Sequence, residues 1–322
     1  MHRFRPFLLV AAMLGGAIVF ASIALADQAA VEKHEGGVRV TLDGKAFTEY
    51  LIRTGPKPIL WPIIGPGGQE MTRNYPMKLV EGEKRDHPHQ RSLWFTHGSV
   101  NGIDFWSEIP GAGKVAHREY LKCEASGSAA VISTLNDWLA ADGKKQCEDV
   151  RTLTFRGTQE QRTIDFDITI KASDGPVRFG DTKEGTMGLR VPTALDARQL
   201  TGKRGEIVNS EGQRDGAAWG KPAAWVDYHG TLGEDPVGVA ILNHPSSFRF
   251  PTYWHVRDYG LFAANPFGLH DFHGNKDENE GTYTLPSGES LTLRYRFLFH
   301  RGDEKAGAVA EAYQAYAQEP RP

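Results

Sequence analysis

The 322-residue sequence predicts a large all-β, antiparallel protein, a two-sheet supersandwich with one C-terminal helix. Three observations lead there. Apolar residues alternate with period two in TIDFDITI, where Ile164, Phe166, Ile168 and Ile170 share a side, and in LTLRYRFLF, where Leu291, Leu293, Tyr295, Phe297 and Phe299 do. Turn signals such as Asp43-Gly44, Asn101-Gly102, Ser173-Asp174-Gly175-Pro176 and Pro286-Ser287-Gly288 punctuate the apolar runs. Helical spacing appears once, near the end of the chain.

At the start, Arg3 and Arg5 precede an apolar run from Phe7, and Ala24-Leu25-Ala26 stands before Asp27. This is the pattern of a secretory signal over residues 1–26. The run approaches the ~20 residues that span a bilayer, so an uncleaved anchor is the alternative. No second run of that length follows, and no membrane partner is expected beyond the export signal. The expected location is periplasmic or extracellular. In such an oxidising compartment Cys123 and Cys147 either pair or remain two separate thiols; the sequence leaves both open.

Residues 27–322 are expected to form a single supersandwich domain. Further strands are expected at Val38–Leu42, Phe47–Arg53, Ser92–Thr96, Ile103–Trp106, Val115–Cys123, Ala129–Trp138, Val150–Phe155, Gly188–Pro192, Val237–Leu242 and Tyr253–Val256. The Gly- and charge-rich stretch from Gly202 to Gly220 reads as a long surface loop. Val309, Ala312, Tyr313 and Tyr316 mark the terminal helix, with Asp303 as its candidate cap. The balance of 37 Lys+Arg against 40 Asp+Glu, a net charge of -3, offers no basic field for a nucleic acid. Nucleophile-elbow, zinc-helix, phosphate-loop and dinucleotide motifs are all missing, which argues against nucleophilic hydrolysis and ATP chemistry.

Three clusters remain as candidate chemistry. In RDHPHQRSLWFTHGSVNGIDFW (85–106), Pro88 favours an extended His87, so that His87, His89 and Arg91 project to one side. An imidazole exchanges protons near neutral pH, and a guanidinium holds a carboxylate or a developing oxyanion. The same His-x-His, with His97 farther along, is a divalent-metal alternative, and hydrogen bonding of the loop to a sheet is a third. In PTYWHVRDYGLFAANPFG (251–268), strand alternation sets Tyr253, His255 and Arg257 on one face, with Trp254 and Val256 behind. Rings beside charged forks suit a sugar, whose C–H face stacks while its hydroxyls are gripped. In FGDTKEGTMGLRVP (179–192), Glu184 sits in a Gly-flanked loop leading to Arg190. Asp258 and Asn243 complete the candidate polar groups, and WGKPAAWVDYHG (219–230) adds aromatic surface.

The motifs HPHQRSLWFTHGSVNGIDFW, DTKEGTMGLR, WGKPAAWVDYHG and PTYWHVRDYGLFAANPFG resemble the PmoA-like family of secreted bacterial proteins, over nearly the whole chain after residue 26. Although that family bears a methane oxygenase name, methane oxidation is not expected. The membrane subunit of methane monooxygenase spans the bilayer repeatedly, and this sequence contains no such spans after residue 26. The resemblance implies a galactose-mutarotase-like supersandwich, in which a His acid and a carboxylate base act on a sugar in a broad β cleft. By chemistry, not alignment, the catalytic nominations are His89, His255 and Glu184. Nominated for substrate contact are His87, Arg91, His97, Arg190, Asn243, Tyr253, Trp254, Arg257 and Asp258.

The resulting expectation is an exported carbohydrate-active protein working by acid–base chemistry, through epimerisation, elimination or glycoside cleavage. No cofactor is expected, with a divalent metal as a possibility. The partner would be a carbohydrate or another polar small molecule. A non-catalytic glycan-binding module and a metal-dependent enzyme using the His-x-His site are the alternatives.

Overall fold

A computed structural model describes residues 27–198 and 204–320. The signal-like segment 1–26 lies outside the described residues, as do Gly202 and Lys203 of the expected surface loop.

Two eight-stranded antiparallel sheets face each other. The first comprises β1 (Ala29–His34), β2 (Gly37–Leu42), β3 (Lys45–Leu51), β4 (Ile59–Ile63), β5 (Leu93–His97), β11 (Gly185–Arg190), β16 (Leu261–Asn265) and β15 (Tyr253–Val256), in that spatial order. The second runs β12 (Glu206–Asn209), β13 (Trp225–Leu232), β14 (Asp235–Asn243), β18 (Ser290–Arg301), β9 (Gln161–Lys171), β8 (Lys145–Gly157), β7 (Ala129–Leu139) and β6 (Lys114–Ser126). A small ribbon pairs β10 (Val177–Phe179) with β17 (Tyr283–Leu285).

The alternating segments become β9 and β18, paired so that Ile164 faces Phe297, Phe166 faces Tyr295 and Ile168 faces Leu293. All six belong to one buried core with Leu93, Phe95, Met187, Leu189 and Trp254 of the first sheet. Period-two alternation thus defines the inner face, and burial of that face holds the sheets together.

Most expected strands form. Ile103–Trp106 does not: Asp104 Oδ1 accepts the N–H groups of Trp106 at 2.7 Å and Ser107 at 3.0 Å, so the segment turns. β4, β13 and β16 went unforeseen because Pro62 interrupts the first, Asp227 and His229 interrupt the second, and Ala-rich LFAAN lacks alternation. Instead of a plain loop, residues 204–220 contain β12 and a 3-10 turn at Asp215–Ala218. A short helix, α1 (Leu269–His273), joins the expected terminal one, α2 (Val309–Ala317). Asp303 does not cap α2, which begins after Ala308; it accepts the N–H groups of Lys305 and Ala306 in the preceding turn. Cys123 and Cys147 are separate thiols, on β6 and β8 with β7 between them. No helix among the described residues is long and apolar enough to cross a membrane.

Candidate functional site

The outer face of the first sheet has an aromatic floor. Trp94 of β5 points away from the core and packs on Trp106 with ring centroids 5.1 Å apart, beside Ile59, Leu261 and Ala263. Gly188 of β11 makes room, since a Cβ there would lie 2.6 Å from the Trp94 ring. Above this floor stands the loop that bears His87 and His89.

That loop is not extended. His87 has φ 45, and the Gln90 N–H donates to the His87 carbonyl at 3.0 Å, closing a turn. The local bias from Pro88 yields to a long-range contact: Arg73, buried at 0 % exposure, donates to the carbonyls of His87 at 2.9 Å and Gln90 at 3.3 Å. Lys57 adds a donation to the His89 carbonyl at 2.8 Å and an ion pair with Glu108 at 2.7 Å. Burial lowers the Lys57 ammonium to about 8, against the attraction of Glu108. His87 and His89 still meet, edge to face at 5.8 Å, and His87 stacks on Tyr259 at 5.1 Å with ring planes 6° apart. Burial, helped by the positive charge of Lys57, lowers His89 to about 4.

Glu184 enters from the loop before β11, whose backbone is held on three sides. His255 Nδ1 donates to the Lys183 carbonyl at 2.8 Å, Asn265 Nδ2 to the Thr182 carbonyl at 2.8 Å, and the Gly98 N–H to the Glu184 carbonyl at 2.6 Å. A carbonyl only accepts, so the neutral His255 ring carries its proton on Nδ1. Burial raises the Glu184 carboxyl above the ordinary carboxylate range; Lys183 opposes the shift, and Asp271 and Asp104 reinforce it. The charge of Asp104 acts on His89 as well, opposing the effect of burial there.

Arg257 completes the cleft. Its guanidinium lies 5.7 Å from the ring centroids of both Trp219 and Tyr259 and exerts a charge effect on Glu184. A depression of about 240 Å³ opens beside it, lined by Gly216, Trp219, Val256, Arg257 and Asp258. Asp258 is half-buried, 3.5 Å from Arg198. Tyr253 sits at the sheet edge, stacked on Phe272 and hydrogen-bonded through its hydroxyl to His273 Nε2 at 3.0 Å.

Several nominated residues prove structural. His97 is 0 % exposed on the inner face, with Nε2 donating to the Gly180 carbonyl at 2.8 Å. Asn243 is equally buried on β14 and accepts the Thr252 N–H at 3.1 Å. Trp254 lies in the core, its Nε1 donating to the Ala223 carbonyl at 3.0 Å; removing it would open a cavity between the sheets and not a gap in a sugar platform. Arg91 donates to Glu108 from Nε at 2.9 and 3.0 Å and from Nη2 at 2.9 Å, and to the Thr54 carbonyl, so it braces the loop. Arg190 is 1 % exposed, paired with Asp86 at 2.9 Å and Gln90, and supports the Tyr259 ring from 4.9 Å. Burial, reinforced by Arg73, lowers it to about 10. His255, 3 % exposed, positions the backbone next to Glu184.

Sequence reasoning missed Asp104, Tyr259 and Lys57. Asp104 and Tyr259 lie inside quoted motifs, where a turn-forming Asp and a ring two residues beyond Arg257 were the available signals; Lys57 left none.

The buried imidazoles predict acid sensitivity. Burial lowers His97 and His255 to about 4, whereas an unfolded His titrates near ~6.5. Between those values the unfolded chain binds protons that the folded chain refuses, so stability falls as pH drops through the window. The thermal midpoint is expected to decrease from pH 7 to pH 4. His97→Gln, which keeps an N–H for the Gly180 carbonyl, should flatten that decrease; an unchanged slope would show that His97 does not contribute.

A family model described as a family of unknown function, DUF6807, matches residues 37–314, and its description does not bear the PmoA name. Comparison with curated proteins gives no match. Among solved structures, a galactose mutarotase-like protein from Lactobacillus casei is 11% identical, with 84% of this chain and 100% of that one covered and a TM-score of 0.42. A galactose mutarotase-like protein from Clostridium acetobutylicum is 9% identical, with 85% and 99% covered and a TM-score of 0.37. The alpha-galactosidase from Lactobacillus brevis is 11% identical over 92% of this chain, which spans only 44% of that enzyme, with a TM-score of 0.36.

Proposed function

The chain belongs to the family of unknown function DUF6807, and we propose that its cleft carries out acid–base chemistry on a carbohydrate, in an exported protein. The observation that supports this most is that burial displaces two groups in opposite directions: His89 is lowered and Glu184 raised. The order of their proton affinities is thereby reversed, which suits His89 to accept a proton and Glu184 to supply one. His89 accepts a proton from the sugar and Glu184 in its protonated form returns one; exchange with solvent then takes the proton from His89 and restores one to Glu184 before the next turnover. This reverses the roles expected from ordinary side-chain pKa values, under which the imidazole is the donor.

Arg257 stands where it can stabilise developing oxyanion charge, and the faces of Tyr259 and Trp219 offer flat surfaces for a pyranose. Epimerisation, elimination and assisted glycoside cleavage all use such a pair. The basic, apolar segment 1–26 supports export.

The test is an NMR product screen of mono- and oligosaccharides, oxidised sugars included, between pH 4 and 8. A new anomeric, unsaturated or cleaved species is expected, and it would identify the reaction directly. Saturable binding without product at any pH would replace this reading by a glycan-binding module, and no interaction with any sugar would reject both.

A further inference from the structure

A second group of donor atoms lies on the outer face of the other sheet. Val226 and Tyr228 of β13 point into the core, so Asp227 and His229 point outward. His300 of β18 reaches the same carboxylate across β14, where Gly238 stands opposite both His229 and His300. Only glycine fits there, because a Cβ would lie 2.2 Å from the His300 ring.

Asp227, 0 % exposed, takes His229 Nδ1 on one oxygen at 2.6 Å and His300 Nε2 on the other at 2.7 Å. The second nitrogen of His300 faces the Arg301 carbonyl at 3.1 Å. Both of its ring nitrogens thus face oxygen atoms, which fixes the orientation of the ring. Glu304 arrives from the turn after β18, with Oε2 3.8 Å from His229 Nδ1 and Arg214 3.1 Å from its other oxygen. One ligand atom each from Asp227, His229 and Glu304 lie within 4.8 Å of one another. His229 also lines a depression of about 560 Å³, with Glu206, Thr231 and Asp303.

We propose that Asp227, His229 and Glu304 bind a hard or borderline divalent metal ion such as Mn²⁺ or Zn²⁺, with His300 orienting Asp227 from behind. Two carboxylates and one imidazole form a donor set suited to such ions and not to soft ones. Bonds of roughly 2.0–2.2 Å require ligand atoms about 3 Å apart, so the Asp227–His229 contact opens by a few tenths of an ångström as the ion enters. A neutral His229 takes the ion on Nδ1 by carrying its one proton on Nε2 instead, so the ring stays neutral as the ion enters. Arg214 holds the other oxygen of Glu304, which leaves Oε2 as its ligand atom on the side of His229. The pairing of His300 with the far oxygen of Asp227 supplies the outer hydrogen bond that fixes a metal-binding carboxylate.

The test is calorimetric titration of the chelator-treated full chain with Zn²⁺ and then Mn²⁺, in two buffers of different ionisation enthalpy, alongside thermal unfolding. One ion per chain and a thermal midpoint that rises with metal concentration are expected. Glu304→Gln should weaken binding by more than the roughly 10–100-fold attributable to outer partners, and His229→Ala should abolish it. His87→Ala, at the other pair of imidazoles, should leave the affinity unchanged. Absence of saturable binding, binding indifferent to Glu304→Gln, or binding lost with His87→Ala would overturn the proposal. Should His229→Ala fail to fold, Glu304→Gln decides the matter.

Discussion

Glu184→Gln is expected to lower turnover of the sugar found in the product screen by roughly 10²–10⁴-fold, the usual worth of a positioned acid or base. The thermal midpoint should barely move. The Glu184 side chain is 36% exposed and its nearest ion-pair partner, Lys183, stands 3.8 Å away, a contact that contributes little to stability. His89→Ala should cause a loss of similar size. The two are distinguishable by pH. Activity that needs a neutral His89 rises as pH climbs through about 4, and activity that needs a protonated Glu184 declines above that group's raised pKa. The optimum should therefore lie between those two limits, and Glu184→Gln should remove the alkaline limb from the residual rate. If both variants retain full turnover while Arg257→Ala loses it, the cleft binds substrate without this acid–base pair and the proposed mechanism fails.

Asp149→Ala is expected to cost about 3–5 kcal/mol, because it strands a buried guanidinium. Asp149 is 0 % exposed within the second sheet and accepts four hydrogen bonds: Arg151 Nε at 2.8 Å and Nη2 at 2.9 Å, Asn136 Nδ2 at 2.8 Å and Trp138 Nε1 at 2.7 Å. Removing the carboxylate leaves the Arg151 charge, itself 1 % exposed, in a low-dielectric interior without its counter-ion. Denaturant unfolding should show the midpoint displaced at an unchanged slope. Adding Arg151→Met to Asp149→Ala should recover most of the loss, since the pair contributes far less net stability than either half costs alone. A single-variant penalty below about 1 kcal/mol would mean that water reaches the site and relieves the stranded charge.

Both predictions depend on groups whose residue type was visible in the chain but whose surroundings were not. Period-two alternation revealed the inner faces of β9 and β18 because a strand's pleat sends successive side chains to opposite sides, a purely local rule. The same rule placed Tyr253, His255 and Arg257 on the face opposite Trp254 and Val256, as the buried core requires. It said nothing of which sheet face would be covered: His97 and Trp94 both lie on β5, yet one points to the core side and the other to the outer floor.

Loops obeyed longer-range forces. The extended reading of His87 rested on Pro88, a preference that the buried Arg73 overcomes by collecting two carbonyls into a turn. Arg91 and Arg190 were legible as cations, but only tertiary contacts decided that Glu108 and Asp86 would occupy them. Asp104 and Tyr259 went unnoticed because each acquires its place from partners distant in sequence. By itself, then, the sequence determined the all-β class, the core faces of the long strands and the segments rich in acid–base chemistry. The tertiary structure decided which of those side chains reach a common cleft, because burial and charge pairing depend on neighbours that chain spacing does not encode.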